Sequence, residues 1–385
     1  MASGTEGFEK NLGPLPGIGI SFSLGSGNTI HMSDFYVGVD VGGTTTTISV
    51  GNESSEVLRL SDQFDTRSAE GPHATVQSIV DNMITNVGEA GGCISDVKSV
   101  GLATPGPATK DGVLGKPPNL RAEGWEGFPV RAELEAALQR KNPEIKVHYI
   151  GDGQAAALGE YAIRSGKVKW SEIPVAEDGS DGCSTLFMVI VGTGLGGGAV
   201  RSGHVVRGVG GRAGHVGHIL LPYFAFRHNH DRELMVGNAP CTAESAVSLT
   251  SLTHQLAYRL TLDEWKDHSL NQMEGTPKDK AKQLRRLAAN GDKLAMELFM
   301  DQARALGLTL LSVNYVGDYD KLIIGGGVCD LSEDVKEKYR KAAEETYRQY
   351  ALKSFRTLKG FEYSICGDKA PVIGALAHLY LRSLS

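Results

Sequence analysis

The first ordered pattern in the chain is an alternation of apolar and polar positions. In residues 36–41 (YVGVDV) the three valines share one face of the segment and Asp40 lies on the other, a period of two that predicts a β-strand. Gly42 and Gly43 end this run, and the β-branched residues 44–50 predict a return strand. The pattern therefore predicts a hairpin with a glycine turn and with Asp40 at its edge.

A similar pattern occurs in the second half of the chain. Residues 185–200 contain the apolar run LFMVIV, the turn Gly192-Thr193-Gly194 and a glycine-rich return segment. Amphipathic helices are predicted over residues 74–90 and 295–313, where apolar residues recur at every third or fourth position. Strands that alternate with helices in two similar halves predict an α/β fold.

A strand-to-helix junction separates the halves. Residues 146–150 predict a strand that ends at Gly151-Asp152-Gly153, and residues 154–163 have a helical composition. An Asp that follows a strand and precedes a helix is typical of a helix N-cap. A domain boundary near Asp152 is also plausible, because the junction separates the two similar halves.

Length and composition agree with two ordinary globular domains. A chain of 385 residues exceeds the size at which one hydrophobic core usually stops growing. We predict a disordered tail at residues 1–34, an N-terminal α/β domain at 35–152 and a C-terminal α/β domain at 153–369. Residues 164–184, which contain Pro174 and the run DGSDG, predict an exposed excursion.

Charge and cysteine content exclude several classes of partner. The net charge of -6 argues against nucleic-acid binding, which depends on clustered cations. Five scattered cysteines without a CxxC pair indicate reduced thiols. The chain has no apolar run of the length that spans a bilayer and no signal-peptide pattern at its start, so we expect a cytoplasmic protein without a membrane partner.

Glycine turns between strands allow backbone N–H groups to approach a bound anion. Two related turns, at Gly42 and Gly192, therefore predict a polyphosphate site, although each alone is equally typical of a tight hairpin. The second turn also matches GxGxxG, but an extended segment follows it where a dinucleotide site requires a helix, and no Walker A sequence occurs. A third turn, at residues 325–327, follows a buried strand and is suited to contact an adenine or ribose.

Taken together, these motifs resemble the ROK family, which contains repressors and sugar kinases of the actin, hexokinase and Hsp70 superfamily. The resemblance runs from about Tyr36 to the C-terminus and rests on these segments in family order: VGVDVGGTTT, GLATPGPATKDGVL, PPNLRAEGW, GDGQAAALGE, IVGTGLGGGAV, GRAGHVGHI, PCTAE, IIGGGV and APVIGALAHL. It implies a two-domain actin-like (ribonuclease H-like) fold, with a mixed sheet in each domain and an interdomain cleft. A C-terminal helix at about 370–385 is expected to join the first domain, and the protein to form a homodimer.

The resemblance implies ATP-dependent phosphorylation of a sugar hydroxyl, with Asp152 as the general base and Asp40 placing the magnesium ion of MgATP. Positioning and charge neutralisation supply most of the rate in such transfers, and a carboxylate suits the proton acceptor. The implied nucleotide-binding residues are Asp40, Gly42, Gly43, Thr44, Thr45, Gly192, Thr193, Gly194, Gly326 and Gly327.

The sugar-binding positions match the family in part. Asn119, His218 and Glu244 are retained, whereas the usual Asn before the base is Gly151 and the usual Glu of the GExGH motif is His215. Because each buried hydroxyl needs a partner, the sequence predicts that glucose is a poor substrate. The alternative function is that of a catalytically weak or inactive member that binds sugar or nucleotide. A sugar-sensing repressor is a further rival, but residues 1–34 are too short for a helix-turn-helix domain.

Family kinases also carry a CxCGxxGC zinc motif, which this sequence lacks. His228 and His230 stand where the C-x-C pair is expected, and Cys241 stands at the last cysteine. With His218 they provide four ligands of the types that structural zinc accepts. The sequence therefore suggests a structural zinc ion, while a solvated polar loop is the equally weighted alternative.

Overall fold

A computed structural model describes residues 34–117, 120, 122–173 and 183–382. Residues 1–33 of the predicted tail, residues 174–182 of the predicted excursion, and Asn119 lie outside the described residues. The described strands are β1 (Phe35–Val41), β2 (Thr45–Asn52), β3 (Val57–Leu60), β4 (Phe64–Asp65), β5 (Val97–Thr104), β6 (Lys146–Gly151), β7 (Thr185–Val191), β8 (Leu195–Arg201), β9 (His204–Val205), β10 (Lys321–Gly326) and β11 (Phe361–Tyr363).

Helices fill the intervals between these strands. They are α1 (Pro72–Glu89), α2 (Val130–Gln139), α3 (Asp152–Arg164), α4 (Ala243–Ala246), α5 (Leu249–Arg259), α6 (Ser269–Gln272), α7 (Pro277–Ala281), α8 (Leu284–Ala289), α9 (Lys293–Gly317), α10 (Glu333–Tyr350) and α11 (Ala370–Leu381). The predicted amphipathic helices correspond to α1 and α9, and the helix predicted after Asp152 corresponds to α3.

Two mixed sheets confirm the predicted fold class. In the first, the strand order is β3-β2-β1-β5-β6 with β4 beside β2, and β1, β5 and β6 run parallel. In the second, the order is β11-β10-β7-β8-β9, and β7, β10 and β11 run parallel. Each sheet thus combines an antiparallel hairpin, β1–β2 or β7–β8, with two parallel neighbours. The glycine turns occupy equivalent positions in the two sheets.

Helices α3 and α11 lie between the two sheets and pack on each other. A Cβ atom at Gly374 of α11 would lie 1.7 Å from the Ala155 carbonyl oxygen of α3. The reciprocal contact is also close, because a Cβ atom at Gly159 of α3 would lie 2.1 Å from the Ala370 carbonyl oxygen of α11. Only glycine allows two helix backbones to approach this closely.

The outer faces of this helix pair contact the sheets in the same way. A Cβ atom at Gly101 of β5 would lie 1.9 Å from the Ala375 carbonyl oxygen of α11. On the other side, a Cβ atom at Gly153, at the start of α3, would lie 2.7 Å from the Gly197 carbonyl oxygen of β8. The order of layers is therefore first sheet, α11, α3, second sheet.

A buried carboxylate fixes α3 to the segment that leads into α11. Glu160, which is fully buried, accepts hydrogen bonds from the Arg164 guanidinium at 2.7 Å and from the Ser364 hydroxyl at 2.7 Å. The backbone N–H groups of Ile365 and Cys366 also donate to it. Because each of its oxygens has partners, the charge is accommodated inside the protein.

Apolar side chains cover both faces of each sheet, and the buried residues form three clusters that follow the layers. Across the described part of the chain, no helix combines the length and the apolarity that a bilayer crossing requires. The division of the chain at residues 152 and 153 stays a prediction.

The close approach of α3 and α11 predicts that Gly374→Ala is strongly destabilising. The added methyl group would overlap a backbone carbonyl that cannot move independently, and overpacking of this kind costs about 1–3 kcal/mol or more. The midpoint and slope of a denaturant unfolding curve measure the change.

Gly88→Ala in α1 is the matched control. A Cβ atom there meets nothing within 4 Å, so the substitution should be neutral or stabilise the helix by about 0.5–1 kcal/mol. Equal unfolding midpoints for the two variants would show that the helix contact is not tight.

Candidate active site

The carboxyl ends of three parallel strands bring the two candidate carboxylates to one edge of the first sheet. Asp40 of β1 is in register with Ala103 of β5, which is in register with Ile150 of β6. Asp152 follows β6 directly and is the first residue of α3, whereas Gly151 occupies the N-cap position. The cap interpretation of Asp152 is therefore not what the structure shows, and its carboxylate lies at the edge where ligands bind α/β sheets.

Burial perturbs both carboxylates. It raises the pKa of Asp152 to about 6, against the opposing effect of a hydrogen bond from the Gly153 N–H to Oδ1 at 2.7 Å. Burial, and then the negative charge of Asp152, raise the pKa of Asp40 to about 7. Two like charges at a desolvated edge attract a cation, and carboxylate oxygens are ligands that Mg²⁺ prefers. The donor set therefore fits the magnesium of MgATP.

The first glycine turn has its carbonyl groups occupied by the segment that follows β4. Thr66 donates its backbone N–H to the Thr44 carbonyl at 2.9 Å and its hydroxyl to the Gly42 carbonyl at 3.0 Å. Ser68 donates its hydroxyl to the Gly43 carbonyl at 2.7 Å. Because these carbonyls point toward Thr66 and Ser68, they do not repel an anion at the opposite side of the turn.

The second glycine turn is held in the same way by the start of α5. Leu249 donates its N–H to the Gly192 carbonyl at 2.9 Å, and the Thr250 hydroxyl donates to the Thr193 carbonyl at 2.8 Å. Sequence reasoning missed these supporting residues in both turns. The only signal was the abundance of hydroxyl side chains after each turn, which is also typical of ordinary loops.

A cavity of about 490 Å³ lies between the sheets and contains the predicted base. The predicted residues that line it are Gly151, Asp152, Gly192, Thr193, Gly194, His215 and Glu244. Glu244 is fixed at the second turn because its Oε2 accepts a hydrogen bond from the Leu195 N–H at 2.8 Å. Burial, followed by the nearby charges of His218 and Arg212, lowers the pKa of His215, so this ring is neutral at pH 7.

A second cavity of about 310 Å³ lies on the far side of the second turn. It shares Gly192 and Thr193 with the first cavity and includes Gly327, one of the residues predicted to contact the nucleotide. Its wall is apolar at Leu249, Leu252, Phe299 and Val328 and cationic at Lys282 and Arg285. The sequence analysis missed both cations, because Lys282 lies in the connection between α7 and α8 and Arg285 lies on α8, and neither belongs to a motif.

Other predicted residues are placed differently. The described residues that line the two cavities do not include Asp40, residues 42–45 or His218. The His218 ring lies 6.3 Å from that of His215, which does line the first cavity. Gly326 has a φ of 80° and directly precedes Gly327 at the wall of the second cavity. Asn119 lies outside the described residues, so its role stays a prediction.

The structure does not support the predicted zinc site. Within the residues described, no group of three or more His, Cys, Asp or Glu side chains is arranged to hold a metal ion. Instead, the His230 ring stacks on His254 at 4.1 Å and on Tyr258 at 4.4 Å. Cys241 Sγ contacts the Arg232 carbonyl at 3.8 Å, and burial raises the pKa of its thiol. The described structure therefore does not bring together the predicted zinc ligands, which are His218, His228, His230 and Cys241.

Comparisons with known proteins agree with the geometry. The sequence profile of the ROK family matches residues 36–381. A glucokinase of Halalkalibacterium halodurans is 27% identical over 89% of this chain and 94% of its own length. A kanosamine kinase of Amycolatopsis mediterranei is 26% identical over 76% of this chain and 80% of its own. The ROK hexokinase of Thermus thermophilus superposes with a TM-score of 0.69 at 25% identity, covering 91% of this chain and 99% of that one.

The raised pKa of Asp40 predicts that stability falls as the pH rises. A carboxyl group with a folded-state pKa of about 7 and an ordinary value of 3.8 stabilises the fold fully below about pH 4, and this contribution is lost as the pH rises through 7. Asp40→Asn should therefore raise the free energy of unfolding at pH 8, by on the order of 1–2 kcal/mol after allowance for partial exposure, and change it little near pH 4. Denaturant unfolding in metal-free buffer tests this.

Asp320→Asn provides a control of opposite sign. Asp320 accepts hydrogen bonds from the Ser184 hydroxyl and from two backbone N–H groups, and these bonds lower its pKa. That variant should lose stability at neutral pH, and the loss should diminish as the pH falls through the carboxylate range. A loss of stability at pH 8 in Asp40→Asn would contradict the assigned electrostatics.

Proposed function

The chain belongs to the ROK family, and from this premise we propose that it is an ATP-dependent kinase that phosphorylates a hydroxyl group of a hexose or hexose derivative. The observation that carries the proposal is the pair of cavities that share Gly192 and Thr193. One cavity has an apolar and cationic wall, and the other contains a carboxylate with a raised pKa. A nucleoside triphosphate suits this arrangement, with its phosphates at the shared turn.

The nucleotide is proposed to bind with its base in the second cavity. The apolar side chains of Leu252, Phe299 and Val328 suit a purine, and the backbone of Gly327 allows close contact. Arg285, which pairs with Asp330 at 2.9 Å, adds positive charge beside that glycine. The phosphates would then extend along Gly192–Gly194, and Asp40 with residues 42–45 would hold MgATP when the sheets close on it.

Asp152 is proposed to act as the base. A sugar hydroxyl in the first cavity would transfer its proton to the Asp152 carboxylate while its oxygen bonds to the γ-phosphorus, and the bond from phosphorus to the bridging oxygen of ADP would break. A pKa of about 6 keeps the group ionised at neutral pH and still able to accept a proton as negative charge leaves the hydroxyl. When bound, the magnesium ion neutralises charge on the phosphates.

The sugar is proposed to lie between Asp152, Glu244 and His215, with Asn119 and His218 completing the site. Glu244 has one oxygen bonded to the second turn, which leaves the other to accept from a hydroxyl. Since the named relatives include a glucokinase and a kanosamine kinase, both neutral and amino hexoses belong in the substrate screen. Release of ADP from MgATP in the presence of each sugar tests the function directly.

A second candidate function is a sugar- or nucleotide-binding protein with weak or no turnover. Gly151 and His215 favour it, because they replace two hydrogen-bonding side chains of the family pattern. Sugar binding without sugar-dependent ADP release would identify this function. The cytoplasmic location and the homodimer stay predictions, and sedimentation analysis of the full chain tests the latter.

Asp152→Asn should lower the turnover number by on the order of 10² or more while sugar affinity is retained, because the amide keeps the shape but accepts no proton. In the wild type, kcat/KM should rise with pH through about 6 as Asp152 ionises. The residual activity of the variant should not show this rise. A turnover number close to that of the wild type would exclude Asp152 as the base.

Glucose should be a poor substrate, since each missing bond to a buried hydroxyl costs about 1–3 kcal/mol. Gly151→Asn together with His215→Glu should raise kcat/KM for glucose at least about tenfold. Position 151 accepts a side chain, because its φ of -69° suits any residue and the closest atoms to an added Cβ are 3.8 Å away. The single variants are the controls, and a glucose kcat/KM of about 10⁵ M⁻¹s⁻¹ or more in the wild type contradicts the prediction.

A further inference from the structure

Gln154 lies in the first turn of α3, two residues after the proposed base, and lines the same cavity as Asp152. The residue is only 4% exposed. A glutamine amide has two N–H donors and one carbonyl acceptor, so full burial requires partners for both ends.

The nitrogen end of this amide is satisfied by the protein. Nε2 donates to the Gly211 carbonyl at 3.0 Å and to the Ala213 carbonyl at 3.0 Å. These two acceptors use both N–H groups and determine which end of the amide is nitrogen, because a reversed amide would place its oxygen against two carbonyl oxygens. Oε1 is therefore the polar atom of the amide that still needs a hydrogen-bond partner.

The oxygen end has no partner in the protein. Gln154 Oε1 is buried and forms no hydrogen bond with any of the residues that the structure describes. A buried acceptor without a donor costs about 1–3 kcal/mol. The amide is held in place by its nitrogen, and Gln154 lines the first cavity, so a ligand in that cavity can supply the missing donor.

The direction of this oxygen is given by Gly151. A Cβ atom added at Gly151 would lie 3.8 Å from Gln154 Oε1, and Gly151 lines the same cavity. The oxygen thus borders the space that a side chain at position 151 would enter. An acceptor at this border recognises a group that donates a hydrogen bond, such as a hydroxyl or an amino group, and does not recognise an ether oxygen or a hydrogen atom.

We propose that Gln154 is a specificity-determining residue whose Oε1 accepts a hydrogen bond from one hydroxyl or amino group of the sugar, in the space left by the absent side chain of Gly151. The proposal rests on the proposed function of the same cavity. It narrows the substrate class to hexoses that carry a hydrogen-bond donor at one particular ring position.

Calorimetric titration of the full chain with sugars tests the proposal without depending on turnover. Glucose, mannose, glucosamine and N-acetylglucosamine are titrated first, followed by the monodeoxy analogues of the sugar that binds most tightly. In the wild type, the analogue that lacks the hydroxyl bound by Gln154 should bind about 10–100-fold more weakly than its parent sugar. The missing hydroxyl leaves the buried acceptor unpaired. In Gln154→Met, that analogue and its parent should bind equally, while the penalties at other positions are retained.

Gln255→Met is the matched control. Gln255 is also 4% exposed, and its Oε1 is likewise without a partner among the described residues. It lies on α5 outside the lining of both cavities, so its variant should reproduce the wild-type pattern.

The outcomes separate the two proposals. Suppose that a sugar binds the wild type and that all of its deoxy analogues bind within twofold of it. This result would overturn the role of Gln154 but would not contradict the kinase function. It requires measurements on the wild type only. A uniform weakening of every sugar in Gln154→Met would assign the residue a purely structural role. If no hexose binds the wild type at millimolar concentration, the proposed function itself fails, and the role of Gln154 with it.

Discussion

The contact between the backbones of α3 and α11 is the constraint on which the arrangement of the molecule depends. Because Gly159 and Gly374 lack side chains, the helices meet at carbonyl contact and fill the narrow space between the sheets. The start of α3 is then held against β8, and the end of β6 supplies its N-cap residue. Asp152 is thereby placed by rigid elements, which is the condition for a precise catalytic geometry.

The site brings together buried polar groups whose charge or hydrogen-bonding capacity is only partly compensated by the protein. Burial raises the pKa values of Asp40 and Asp152 and lowers that of His215. Gln154 Oε1 is buried without a hydrogen-bond donor. By contrast, the buried carboxylate of Glu160 has four protein donors. An unpaired polar group that also lines a cavity, such as Gln154, is one that a ligand can complete, whereas Gln255 Oε1 is unpaired but lines neither cavity.

Much of the fold was predictable from the sequence, because strand periodicity and glycine turns are local signals. The hairpins, α1, α3 and α9 were all predicted, and the resemblance of the motifs added the two-sheet architecture. The supporting role of Thr66 and the cations of the second cavity were not predictable, since they depend on contacts between distant segments. Spacing alone suggested the zinc ligands, and it could not reveal that the His230 ring stacks on His254, which lies 24 positions further along the chain.

Gly151 and Gly374 differ in how strongly the structure limits substitution at each position. Position 374 is locked by a carbonyl oxygen 1.7 Å from an added Cβ atom, whereas position 151 has an ordinary backbone conformation and the atoms nearest to an added Cβ lie 3.8 Å away. Selection can therefore sample new side chains at 151 without disturbing the helices behind it. Substrate preference in such a scaffold can drift by single substitutions at the rim of the cavity, while the helix pair that positions Asp152, the proposed base, stays fixed.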